Sequence, residues 1–102
     1  MENPEKASFS NWLANKGLST SSIQKYSSQA NNRIIAELGI DFYEVENLDS
    51  LRNLLIAVKE MEANMPKNPN HMYSAAVSNY IKYKTRQYNR LDTLNDYQYL
   101  NR

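Results

Sequence analysis

The sequence contains two glycines, Gly17 and Gly39, and each falls directly after an amphipathic run. Its three prolines sit in Asn3-Pro4, Met65-Pro66 and Asn68-Pro69, between or at the edges of such runs. Glycine closes a helix because it takes the left-handed backbone conformation without a Cβ clash. Proline is tolerated at a first helical position, where its missing N–H has no partner to lose. With so little of either residue there is scant material for tight β-turns or for a flexible linker, and the punctuation marks out helices.

Asn3-Pro4-Glu5 is the first start signal, with Asn as cap and Glu against the positive helix end. Phe9, Trp12, Leu13 and the stem of Lys16 form one stripe, in which Trp12 is expected to be the central core aromatic. Gly17 stops this helix, with Leu18 packing across the cap. Ser19 or Thr20 then caps a second helix, whose Ile23, Tyr26, Ala30, Ile34 and Leu38 recur at steps of three and four until Gly39. The connection IDFYEVENLD can cover one end of the core or hold a short strand. Asp49 is the expected cap of a third helix, with Leu51, Leu54, Leu55, Val58, Met61 and Met65 on its apolar face. Asn68-Pro69 repeats the start signal and launches a fourth helix from about Asn70 toward Asn89, carrying Tyr73, Ala76, Val77, Tyr80, Ile81 and Tyr83 or the Lys84 stem inward. The tail from Asp92 reads either as a short fifth helix, with Leu94, Tyr97 and Leu100 on one side, or as a docking arm. The fold class expected is all-α: a compact bundle of four main helices in one domain over 1–91, with 92–102 as the additional C-terminal helix or arm. Helices one and three are expected to supply much of the core, and helices two and four the basic surface.

A chain of 102 residues with 41% hydrophobic and 23% charged side chains fits one domain with a single modest core. Cysteine is absent, which removes disulfides, thiolate nucleophiles and cysteine zinc sites, and leaves the cytoplasm as the expected location. MENPEKASFS lacks the basic and apolar regions of a secretory signal. No run approaches the roughly 20 apolar residues of a membrane span, so no membrane partner is expected.

The net charge of +1 is unremarkable, but its distribution is not. Ala7 to Ala36 holds Lys16, Lys25 and Arg33 and no acid; Glu37 to Glu62 holds seven acids against Arg52 and Lys59; Ala63 to Leu91 holds Lys67, Lys82, Lys84, Arg86 and Arg90, again with no acid. On the fourth helix, Asn79, Lys82, Arg86 and Arg90 share a stripe. Lys and Arg neutralise phosphates with release of counterions, and Asn hydrogen-bonds phosphates or base edges. The same stripe also reads as a solvated face with a favourably charged C-terminal end. On the second helix, Lys25, Ser28, Asn32 and Arg33 form an acid-free polar surface that suits an anionic partner, or simply a soluble one.

Tyr73 and Tyr80 read as core wedges, whereas Tyr88, Tyr97 and Tyr99 are free to stack on bases or to anchor a protein. His71 is the sole histidine and has neither a zinc-ligand partner nor a nucleophile beside it. The carboxylates Glu37, Asp41, Glu44, Glu46 and Asp49 lack EF-hand spacing. No phosphate loop, dinucleotide fingerprint or nucleophile elbow occurs. No cofactor, metal site or catalytic residue is therefore expected.

FSNWLANKGLSTSSIQKYSSQANN resembles the opening of the SAM-like core-binding domain of phage integrases and tyrosine recombinases, on Phe9, Trp12, Leu13, Gly17, Ser19, Ile23 and Tyr26. NPNHMYSAAVSNYIKYKTRQ is similar to the closing helix of that domain, with Asn70 ahead of an aromatic and basic segment. Similar helical domains stand at the N-termini of some restriction endonucleases. The resemblance, over about Ala7 to Gln87, implies DNA binding or positioning. It carries no catalysis to Tyr97 or Tyr99, since the recombinase catalytic domain is expected to have no room after Arg102. The expectation is a non-catalytic DNA-binding domain using Lys25, Asn32, Arg33, Asn79, Lys82, Arg86 and Arg90. The alternative is a protein-interaction module or small regulator of a host or phage enzyme, acting through the acidic middle or the tyrosine-rich tail. A third reading is a homodimer joined through Leu94, Tyr97, Tyr99 and Leu100.

Overall fold

The computed structural model describes residues 4–66 and 71–100, with side chains described as far as Arg86. Five α-helices follow one another: α1 (Pro4–Asn15), α2 (Thr20–Gln24), α3 (Ala30–Leu38), α4 (Leu48–Ala63) and α5 (Met72–Leu100). A π-helical segment, Lys25–Gln29, joins α2 to α3 without a break, so the two form one rod. The result is an all-α bundle of four rods, with no strand among the described residues.

Local chemistry sets the rod ends. At the end of α1 the Leu18 amide donates to the Leu13 carbonyl at 3.4 Å and the Gly17 amide to Ala14 at 3.0 Å. With Gly17 at φ 88°, this is a Schellman cap, and Leu18 packs against the core beneath it. Ser19 caps α2 through its hydroxyl, which accepts from the Ser22 amide at 3.2 Å. Gly39, at φ 70°, ends α3 by donating to Ile35 at 2.8 Å. The α4 cap is Asn47 rather than Asp49: the Asn47 side chain accepts from the Ser50 amide at 2.7 Å. Asp49 lies instead in the first turn, where its negative charge faces the positive helix end. Asn3 and Asn68-Pro69-Asn70, read as start signals, lie outside the described residues.

The core gathers side chains from every rod: Phe9 and Leu13 from α1, Ala30 and Ile34 from α3, Leu51, Leu54 and Val58 from α4, and Ala76, Val77, Tyr80 and Tyr83 from α5. The fourth rod is thus as much a core element as a surface one. Phe9, not Trp12, is the central aromatic. Its ring centroid lies 5.2 Å from Tyr80, 5.6 Å from Tyr83 and 6.1 Å from Trp12, and the ring is fully buried. Trp12 lies one helical step toward the surface, half-buried, with the Lys16 ammonium 4.4 Å from its ring centroid. Aromatic pairs of this kind add ~0.5–1.5 kcal/mol beyond the area they bury.

The 39–47 connection holds no strand but a 3-10 turn, Phe42–Glu44, which drives Phe42 and Tyr43 into the core. Its anchor is Asn31, a buried polar residue of α3. Asn31 donates to Asp41 Oδ1 at 2.8 Å and accepts from the Phe42 amide at 3.0 Å, while the same Asp41 oxygen accepts from the Tyr43 amide at 2.9 Å. A strand would leave its backbone unpaired, whereas this side-chain scaffold satisfies it. The backbone of α5 passes through Asp92 to Leu100 as one helix, so no separate helix begins at Asp92. Among the described residues no helix is long and apolar enough to cross a membrane.

Candidate nucleic-acid interface

The inward positions of α5 are Ala76, Val77, Tyr80 and Tyr83. At 100° per residue this puts Lys82 on the opposite side, with Arg86 and then Asn79 beside it toward one flank. Lys82 and Arg86 are exposed, and neither takes part in an ion pair among the described residues. Asn79 is half-buried and donates one amide proton to the Ala75 carbonyl at 2.9 Å, which leaves its second N–H and its oxygen for other partners. The Arg90 side chain lies outside the described residues. Lys84, two residues from Lys82, turns the other way. Its ammonium donates to Glu5 Oε1 at 3.0 Å and its side chain is 15% exposed, so it ties α5 to α1. Tyr83 reinforces the tie by donating its hydroxyl proton to Glu5 Oε2 at 2.9 Å.

The second predicted group divides. Lys25, the first residue of the π segment, and Asn32, in α3, are both exposed. Arg33 is exposed too, but it pairs with Glu37 at 3.1 Å and lines an open groove with Glu37, Glu60 and Met61. It therefore belongs to the acidic side of the molecule. Among the described residues no hydrogen bond or ion pair joins Lys25, Asn32 or Arg33 to the α5 stripe.

Three polar arrangements were not anticipated. The first lies at the π segment, whose wider turn shifts the backbone ladder so that the Ala30 amide donates to Lys25. Side chains donate to carbonyls of this rod as well: the buried Ser27 hydroxyl to Ile23 at 2.6 Å, and the Tyr43 hydroxyl to Ser27. Burial pushes the Tyr43 phenol well above its ordinary value, with Tyr80, Asp41, Tyr83 and Glu5 adding in the same direction.

The second is Glu62, 2% exposed, whose Oε2 accepts from the Tyr73 and Ser74 amides at 3.0 Å each and so caps α5. His71 stands beside it at φ 59°, with Nδ1 3.7 Å from Glu62 Oε1. The third is a cleft of about 310 Å³ between α1 and the α2–π rod, whose polar lining is Lys6, Ser10, Thr20, Gln24, Ser27 and Ser28. The sequence did carry signals for the first two. Ser27 and Asn31 sit one step apart on the phase of Ile34, and Glu62 follows Val58 by four residues, so each polar residue lay on a core-facing phase.

No protein-family model, curated protein or solved structure matches this chain.

Proposed function

We propose that this chain is a non-catalytic DNA-binding domain that grips the sugar-phosphate backbone through a basic face, of the kind attached to recombinases or restriction nucleases. The observation that carries the reading is the outward stripe of α5. Lys82 and Arg86 are exposed and outside any ion pair among the described residues, and no acid occurs between Ala63 and Leu91. Cations held on a rigid helix neutralise phosphates without losing the energy of a prior ion pair, and the released counterions drive association. Lys25 and Asn32 extend the same chemistry on the second rod. Arg33, engaged with Glu37, is the weakest member of the set.

Fluorescence-anisotropy titration of labelled single- and double-stranded DNA, at low and near-physiological salt, tests the reading. Binding that weakens as salt rises is expected. An absence of binding to either DNA at low salt would remove DNA as the partner.

The second reading is a protein-interaction module. Ile35, Ile40 and Ile56 are exposed apolar side chains, 38–59% accessible, and the groove holding Met61 and Met65 is rimmed by Glu37 and Glu60. A stoichiometric protein partner retained through nuclease treatment and high salt would favour it.

A further inference from the structure

We infer that the outward arc of α5 is a sequence-blind seat for a run of phosphates, held through Lys82 and Arg86 without any reading of bases. The phosphates can be those of a nucleic-acid backbone, which rests on the DNA-binding reading, or those of a free inorganic polyphosphate, which does not. Between residues 72 and 86 of α5, Lys82 and Arg86 are the exposed positions, and every other residue is buried or half-buried. Packing accounts for this, because α5 meets α4, α3, the π segment and α1. A helix that reads bases lies in the major groove with its side chains against base edges, and it needs much of its circumference free. Over this stretch α5 is sunk among its neighbours, so a narrow arc, and not a whole helix, reaches a ligand.

The residues around the two cations leave little else to contact a base. At 100° per residue Ala75 and Ser78 fall on either side of Lys82, and both side chains are short. Asn79 stands at the flank, half-buried, with one amide proton given to the Ala75 carbonyl at 2.9 Å. Lys82 and Arg86 are four residues apart, which is about 6 Å along the helix axis. Phosphates follow one another at ~3.4 Å of duplex axis along a strand, so the pair matches closely spaced phosphates of one strand and falls short of the ~12 Å width of the major groove. Arg86 could pair in two-pronged fashion with a phosphate or with a guanine edge, but the guanine edge is reached only from inside the groove. Neither cation takes part in an ion pair among the described residues, so both charges are available to the ligand. An ammonium and a guanidinium placed in this way respond to charge spacing, which all duplex sequences share and which a base-free polyphosphate also supplies.

The test uses the whole chain at low salt with two kinds of probe: inorganic polyphosphate, followed by ¹⁵N-resolved NMR, and three DNA duplexes of equal length and different base sequence, followed by fluorescence anisotropy. Polyphosphate should shift the amides of residues 75–86 saturably. Lys82→Glu/Arg86→Glu should abolish those shifts, whereas Lys82→Arg should keep them. In the double variant the affinity for all three duplexes should fall by the same factor, to within about twofold, since the loss of phosphate contacts weakens every sequence alike. A factor that differs by roughly tenfold between duplexes would mean that Lys82 or Arg86 reads bases, and would overturn the seat while DNA binding stands. Duplex binding with no polyphosphate shift would overturn it in the same way. If polyphosphate binds and no duplex does, the seat stands for free polyphosphate and the DNA reading falls; if neither probe binds, both fall.

Discussion

Tyr43 joins the 3-10 turn to the second rod through one hydroxyl, which donates to the Ser27 carbonyl of the π segment. Removing that hydroxyl takes a side-chain donor away from a buried carbonyl. Tyr43→Phe should therefore cost about 1–3 kcal/mol, because the penalty of a lost buried partner exceeds the net worth of an ordinary hydrogen bond. A urea titration reads this as a lower midpoint at unchanged slope. The same hydroxyl makes the protein sensitive to alkali. Its folded-state value is raised above the unfolded value of about 10, so the fold favours the neutral phenol. That contribution is whole below pH ~10 and is lost as pH climbs from there toward the folded value. Stability should fall above about pH 10, and the ultraviolet absorbance of phenolate should show phenol ionisation that waits for unfolding, Tyr43 contributing to it. In Tyr43→Phe both signatures should diminish, and an unaltered alkaline profile in that variant would count against the assignment.

Helix ends decide the elements, and the end with the most unusual chemistry is the start of α5. Its first amides are met by Glu62 from the preceding helix, a carboxylate buried to 2% exposure and placed where the helix dipole favours negative charge. Glu62→Ala should lower stability by roughly 1–3 kcal/mol, since two amides lose a charged acceptor at once. Hydrogen exchange should show the loss concentrated in the first turn of α5, and uniform protection along α5 in that variant would refute the capping role. The contrast with the other ends shows what a sequence can express. Gly17, Ser19 and Gly39 act within their own turns, so local residue chemistry was enough to place them. Asn47 displaced Asp49 as the α4 cap because two neighbouring polar residues suit the position equally well, and the choice follows from where the 3-10 turn delivers the chain. The exchange of Trp12 for Phe9 at the centre depended on how α1 rotates against Tyr80 and Tyr83, which the stripe in α1 alone does not specify. The α1–α2 cleft needed two rods and a π turn to exist, and no single stretch of sequence contained it.

At the scale of the molecule the cations divide into those that hold the bundle together and those that face outward. Lys84 is of the first kind, 3.0 Å from Glu5 and 15% exposed; Lys82 and Arg86 are of the second. The candidate stripe was legible as a 3,4 spacing on a helix, but this division was not, because it depends on which side of α5 meets α1. It yields opposite consequences for neighbouring residues. The double reversal Lys82→Glu/Arg86→Glu leaves the core packing intact and should keep stability within ~0.5 kcal/mol of the parent protein. On the proposed DNA-binding reading its effect falls on DNA: affinity should fall, and the slope of log affinity against log salt should flatten by about 2, near one unit for each phosphate no longer neutralised. Lys84→Gln should behave in reverse. It takes the cation away from Glu5 and should lower the melting temperature, while leaving the salt slope of DNA binding close to that of the parent. Thermal melts and anisotropy titrations of the two variants, read together, separate an electrostatic face from a structural ion pair. A double reversal that keeps the parent salt slope would detach the α5 stripe from DNA recognition.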